Sequence, residues 1–125
     1  MKFAKIVFLI AGIWGLSILT PVYFLLDKLG RDHPPAITHP EFFYGFVGIA
    51  LAWQVAFILI ATDPVRYRPL MIPSILEKIA YSATVAVLVF QGRTHQSALF
   101  SAEIDLFLGL LFAIAYFKTP SNAAQ

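Results

Sequence analysis

Residues 42–61 read FFYGFVGIALAWQVAFILIA, twenty positions with no charge and a single amide, Gln54. An α-helix rises 1.5 Å per residue, so twenty such residues match the ~30 Å hydrocarbon core of a bilayer. The run from Ile6 to Leu26 is of the same kind and carries no charge. Two further runs, Ile79 to Phe90 and Leu106 to Phe117, are shorter, and reach spanning length once the charged residues in their first turns count as interfacial. The pattern predicts helices over about 6–26, 41–61, 74–91 and 101–118. The expected fold is all-α, an antiparallel bundle of four transmembrane helices forming one integral membrane domain over residues 1–125.

Composition agrees. The chain of 125 residues is 59% hydrophobic and 13% charged, with a mean hydropathy of +0.78. An ordinary soluble domain is about 45–50% apolar and about 25% charged, which excludes a soluble monomer of normal make-up. With no cysteine, disulfides, thiolate metal sites and a cysteine nucleophile are excluded. A net charge of +2, dispersed along the chain, gives no nucleic-acid surface. Lys2 and Lys5 precede the first run as in a signal peptide, but that run exceeds the usual apolar region of about 7–15 residues and no A-x-A-like site follows. It is read as a retained helix.

The connections 27–40, 62–73 and 91–100 are too short for a soluble domain. Placing the N-terminus in the cytoplasm puts Lys2, Lys5, Arg66, Arg68, Lys78 and Lys118 inside and Lys28, Arg31 and Arg93 outside. The excess predicts a multi-pass protein of a bacterial cytoplasmic membrane with both termini inside. Aromatic residues mark the boundaries, Tyr23, Phe24, Phe42, Phe43 and Tyr44 outside and Tyr67, Tyr116 and Phe117 inside.

Ionisable groups in a bilayer cost several kcal/mol and point to function unless helix capping explains them. Thr38-His39-Pro40-Glu41 and Ser74-Ile75-Leu76-Glu77 fit the S/T-x-x-E capping box, and Ser101 is a third candidate cap. Asp105 falls beyond the usual capping positions. It is expected to face the bundle and bond to another helix, with Tyr23, Thr20, Tyr44 and Gln91 as candidate partners. The competing reading is a binding site. Ser74, Glu77, Tyr81, Thr84, Leu88 and Gln91 form one stripe of the third helix, and Ser101, Asp105, Gly109, Phe112 and Tyr116 one of the fourth. Polar atoms facing lipid lack partners, so both stripes should face inward.

Trp14, Trp53, Gln54 and Tyr81 add polar atoms near mid-membrane. The candidate ligand-lining residues are Glu77, Asp105, Gln54, Trp53, Tyr81, Tyr44, Asp27 and Tyr116. Glu77 and Gln54 belong by depth to the inner half, and Asp105, Tyr44 and Asp27 to the outer half. Gly45, Gly48, Ala52 and Ala56 make a small-residue face on the second helix, and Gly12 and Gly15 a shorter one on the first, as in close helix packing. His33, His39 and His95 lie in outer loops with no metal-ligand spacing. Asp63 to Pro69 offers arginines to anionic lipid headgroups. No phosphate loop, nucleophile elbow or dinucleotide fingerprint is present, and no cofactor is expected.

The phrases GIWGL, ITHPEFFYGFVGIALAWQ, DPVRYRPLMIPSILEK and IDLFLGLLFAIAYFKT together resemble a family of small bacterial four-helix membrane proteins. In layout the chain is also similar to the DoxX-like proteins and to the EXPERA group of sterol isomerases and sigma-2-receptor-like proteins. The EXPERA similarity lies in Gly12 to Asp27, in Trp53-Gln54 followed by Ile60-Ala61-Thr62, and in the proline at Pro73. It implies an apolar ligand held in an intramembrane pocket lined by acids and aromatics. The long loop of that group is shortened here and no histidine lies within a helix, so isomerase activity is not carried over.

Two functions follow as expectations: binding of a small apolar molecule (lipid, sterol-like compound or quinone) in an intramembrane pocket, or a structural or accessory role in a homodimer or membrane complex. Membrane lipids are the expected partners and nucleic acid is not. A transporter or channel has the least support, since no charge interrupts the first two spans.

Overall fold

Pro21 cannot donate a backbone hydrogen bond, and the first helix, α1 (Lys2–Tyr23), ends two residues beyond it in tight turns, Phe24 N–H to Pro21 O and Leu25 N–H to Val22 O, both 3.0 Å. The computed structural model describes residues 2–121. After α1 come α2 (Leu26–Asp32), α3 (Pro40–Thr62), a 3₁₀ turn over Arg68–Leu70, α4 (Met71–Phe90) and α5 (Ala98–Lys118). Helices α1, α3, α5 and the stretch Arg68–Phe90 are long and apolar enough to cross a membrane. The all-α four-helix bundle expected from the sequence is the fold observed. The short α2 is the departure, occupying part of the connection expected to be loop; Lys28 donates to Asp32 one turn on at 2.6 Å and holds that carboxyl below the usual range.

None of the three expected caps forms. Helix α3 starts at Pro40, so the cap position falls to His39, which makes no side-chain capping bond; Glu41 instead sits 3.4 Å from His39 Nδ1. Helix α4 starts at Met71, continuing from the 3₁₀ turn, and tolerates Pro73 because first-turn N–H groups have no acceptor within the helix. Ser74 therefore lies inside the helix and donates to Leu70 O at 2.7 Å. Helix α5 starts at Ala98, and Ser101 donates to Ala98 O at 2.9 Å. Each of the last two helices begins three residues before its expected cap, which carries Glu77 and Asp105 about 4.5 Å further from the helix start than the sequence reading has them.

The spans run up and down as two hairpin-like pairs, α1 with α3 and α4 with α5; α1 and α5 join the pairs, whereas α3 and α4 barely touch. Glycines bring each pair together. A methyl group on Gly12 would lie 2.5 Å from Ile58 Cγ1 and 2.8 Å from the Gln54 carbonyl oxygen, and one on Gly15 would overlap the Gln54 amide. One on Gly109 would meet Lys78 Cβ at 3.3 Å. Gly45 and Gly48 have open space around them, so in this chain the expected close packing belongs to the glycines of α1 and not to those of α3.

The pairs converge on a core built from Phe8, Phe57, Ile60, Met71, Phe112 and Ala115, all fully buried. Phe8 stacks on Phe112 at 4.2 Å between ring centroids, and Phe57 meets Phe112 edge-on at 4.9 Å. Beyond this core Arg68 donates from Nε to Tyr116 O at 3.1 Å and covers the Tyr116 ring at 3.8 Å, and Lys118 Nζ lies 4.8 Å from the centre of the Phe3 ring. The first residues of α1, the α3–α4 connection and the last residues of α5 thus share one end of the bundle, called here the terminal end. Phe24, Phe42, Phe90 and Phe100 stand exposed toward the opposite end, and Phe117 at the terminal end, in keeping with aromatic belts at two membrane boundaries.

Candidate functional site

Lys78 is the residue around which the site is built. Its side chain, 5% exposed, passes Gly109 of α5, and its ammonium lies 3.5 Å from Asp105 Oδ1, 3.8 Å from Glu77 Oε2 and 5.2 Å from the centre of the Phe57 ring. The Asp105 contact is at the long end of hydrogen-bond range and links α4 to α5. Two carboxylates thus share one ammonium, and with all three ionised the cluster carries a formal charge of −1. A charge in low dielectric is tolerated when paired and hydrogen-bonded, and here the pairing is one cation short.

The cluster opens on a cavity of about 470 Å³ between the two helix pairs. Helix α1 contributes Trp14, Gly15, Ile18 and Leu19; α3 contributes Phe46, Ile49, Ala50, Trp53 and Gln54. Glu77, Lys78, Ala80, Tyr81 and Thr84 line it from α4, and Ser101 and Asp105 from α5. The apolar wall comes mainly from α1 and α3 and the charged wall from α4 and α5. The volume lies within the ~300–1,000 Å³ typical of small-molecule sites. The space exists because α3 and α4, which border it, do not pack together.

Gln54 is 1% exposed and donates from Nε2 to Ala50 O at 2.9 Å. That bond identifies the nitrogen, and Oε1 is the end of the amide packed against Gly15 of α1. Gln54 Oε1 and Glu77 Oε2 are the buried side-chain atoms with no hydrogen-bond partner among the described residues. Further along the cavity Ser101 gives its proton to Ala98 O, so the 3.0 Å contact between Tyr81 and Ser101 is made by the Tyr81 hydroxyl donating.

Of the residues singled out in the sequence, Glu77, Asp105, Gln54, Trp53 and Tyr81 come together here. Three lie elsewhere. Asp27 is exposed in the first turn of α2, Tyr44 packs on Tyr23 at 5.0 Å, and Tyr116 lies under Arg68 at the terminal end. The expected separation in depth between Asp105 and the pair Glu77 and Gln54 is not observed, because the earlier start of α5 carries Asp105 down to the level of Lys78. Asp105 does face the interior and bond to another helix, through Lys78 and not through any of the four candidate donors. Lys78 itself escaped the sequence reading, which counted it among the cations of the inner membrane boundary. The signal was the pair Glu77-Lys78 inside an apolar helix, where one of two adjacent charges must point away from the other's face.

A second depression, about 760 Å³, lies at the end opposite the termini, between Leu29, His33 and Pro34 on one side and Arg93, His95 and Ser97 on the other. It shares Tyr81 and Ser101 with the deeper cavity, so their hydrogen bond marks the boundary between the two spaces. Among the described residues no group of three or more histidines and acids is placed to hold a metal ion. Comparison with protein-family models, with curated proteins and with solved structures finds no match for this chain.

Proposed function

We propose that the protein binds a small, largely apolar molecule in the cavity between its helix pairs. The carrying observation is the coincidence, in one space of about 470 Å³, of an aromatic and aliphatic wall with the charged residues Glu77, Lys78 and Asp105. Bundles that serve only as scaffolds gain by filling such space, since packing is what holds transmembrane helices together. Nothing in the arrangement resembles a nucleophile with its base, so the reading is binding and not a named reaction.

The membrane we propose is a bacterial cytoplasmic one, with both termini inside. Lys78 leaves the loop count, being buried, yet Lys2, Lys5, Arg66, Arg68 and Lys118 at the terminal end still outweigh Lys28, Arg31 and Arg93.

Mass spectrometry of molecules extracted from protein purified in mild detergent tests the binding reading. A specific compound enriched over bulk lipid, and lost from the cavity-filling variants Ala50→Phe and Thr84→Phe, is the expected result. The same extract from all three proteins would overturn it. The competing reading, an accessory subunit, draws on the open faces of Gly45 and Gly48 on α3, and a reproducible larger complex in the same purification would favour it.

A further inference from the structure

The depression of about 760 Å³ at the end opposite the termini has a chemistry of its own. Two connections meet there, residues 33–39 between α2 and α3 and residues 91–97 between α4 and α5. Each brings a histidine. The His33 and His95 rings stand edge to face with their centroids 6.1 Å apart, and neither is hydrogen-bonded to another described residue. Arg93 lines the same space, spends one N–H on Gln91 Oε1 at 3.3 Å and keeps the rest of its fork. Thr94 and Ser97 add hydroxyls. No aspartate or glutamate is among the lining residues, and Asp32, next to His33 in sequence, is paired with Lys28 at 2.6 Å.

The depression therefore offers hydrogen-bond donors and positive charge with no acid to answer them. A guanidinium binds carboxylate and phosphate oxygens through paired N–H groups, and an imidazole carries at least one N–H in either charge state. A metal cation at the two rings would be repelled by Arg93. Phe90 and Phe100, both exposed, bracket the 91–97 connection, which sets the depression at the level of an aromatic belt, where lipid head groups lie. We infer that the depression binds an anionic oxygen group, a phosphate or a carboxylate, held by Arg93 with His33 and His95. Occupancy of the deeper cavity is not required.

The chain supplies its own reporters and its own control. Of its three histidines, His33 and His95 line the depression, whereas His39 lies outside it, 3.4 Å from Glu41. The experiment records ring resonances of the histidine-labelled full chain in nanodiscs, at constant pH and ionic strength, with each signal assigned by a His→Gln variant. One arm titrates inorganic phosphate, and separately acetate, into discs of phosphatidylcholine. The other raises the share of phosphatidylglycerol in the discs. The expected result is a saturable shift of His33 and His95 that His39 does not share. Saturation with phosphatidylglycerol alone identifies a lipid-borne anion, and saturation with phosphate or acetate in phosphatidylcholine discs a soluble one. Arg93→Gln should raise the half-saturating amount by about tenfold or more, the scale of one hydrogen bond to a charged group. Equal shifts of all three histidines, no saturable shift in either arm, or a titration unchanged in Arg93→Gln would overturn the inference, and each would leave the reading of the deeper cavity untouched.

Discussion

Lys78 Nζ stands 3.5 Å from Asp105 Oδ1 across the α4–α5 interface, and the same ammonium is the cation nearest Glu77. One buried cation thus holds two acids in the bundle. Its replacement by an apolar residue of similar length leaves both carboxyls without a counter-charge. We expect Lys78→Met to lower stability by about 3–5 kcal/mol, the range for breaking a buried pair from one side. Thermal unfolding in detergent measures it, and a loss under about 1 kcal/mol would mean the acids do not depend on the ammonium.

Glycines on α1 and α3 should respond in opposite senses. Gly12→Ala puts a methyl 2.8 Å from a backbone oxygen of α3, which cannot move aside as a side-chain tip can. The expected cost is about 1–3 kcal/mol, as for overpacking. Gly45→Ala meets nothing within 4 Å and removes a poor helix former, so it should be neutral or gain up to about 1 kcal/mol. If Gly45→Ala instead dissociates a purified complex, the open face of α3 is an interface and the accessory-subunit reading gains.

Arg68 ties the α3–α4 connection to the end of α5 through one hydrogen bond and one ring face, both on Tyr116. Lysine keeps the charge but loses the planar guanidinium that does both. Arg68→Lys should therefore destabilise by about 1–2 kcal/mol, with faster hydrogen exchange at the terminal ends of α4 and α5. Exchange unchanged from the unmodified protein would show that the connection is held by other contacts.

The spans were legible in the sequence because bilayer thickness imposes a length on apolar runs, as in residues 42–61. The inward stripes were legible in part: Glu77, Tyr81, Ser101 and Asp105 line one space, while Gln91 is exposed, Tyr116 lies at the terminal end and the buried face of α4 runs through Ser74, Lys78, Ser82 and Val85. What the sequence concealed were the helix starts. Ser74 and Ser101 match a capping pattern that hydroxyls inside a helix also satisfy by donating back to an earlier carbonyl, as both do here. Reading them as caps moved Glu77 and Asp105 toward the membrane surface, supplied Glu77 with a structural excuse, and left Lys78 counted as an interfacial cation. Asp27, Tyr44 and Tyr116 were drawn toward the site by residue type alone, and only the packing of α2, α3 and α5 shows that they lie outside the cavity.

The central claim is that the space beside Lys78 holds a ligand, and the most direct measurement is the unfolding temperature of delipidated protein against added copurified molecule. The account predicts a saturable rise worth about 2.7 kcal/mol at a hundredfold excess over Kd, absent in Thr84→Phe of unchanged helix content. An equal rise in the unmodified protein and the filled variant, or none in either, would contradict it.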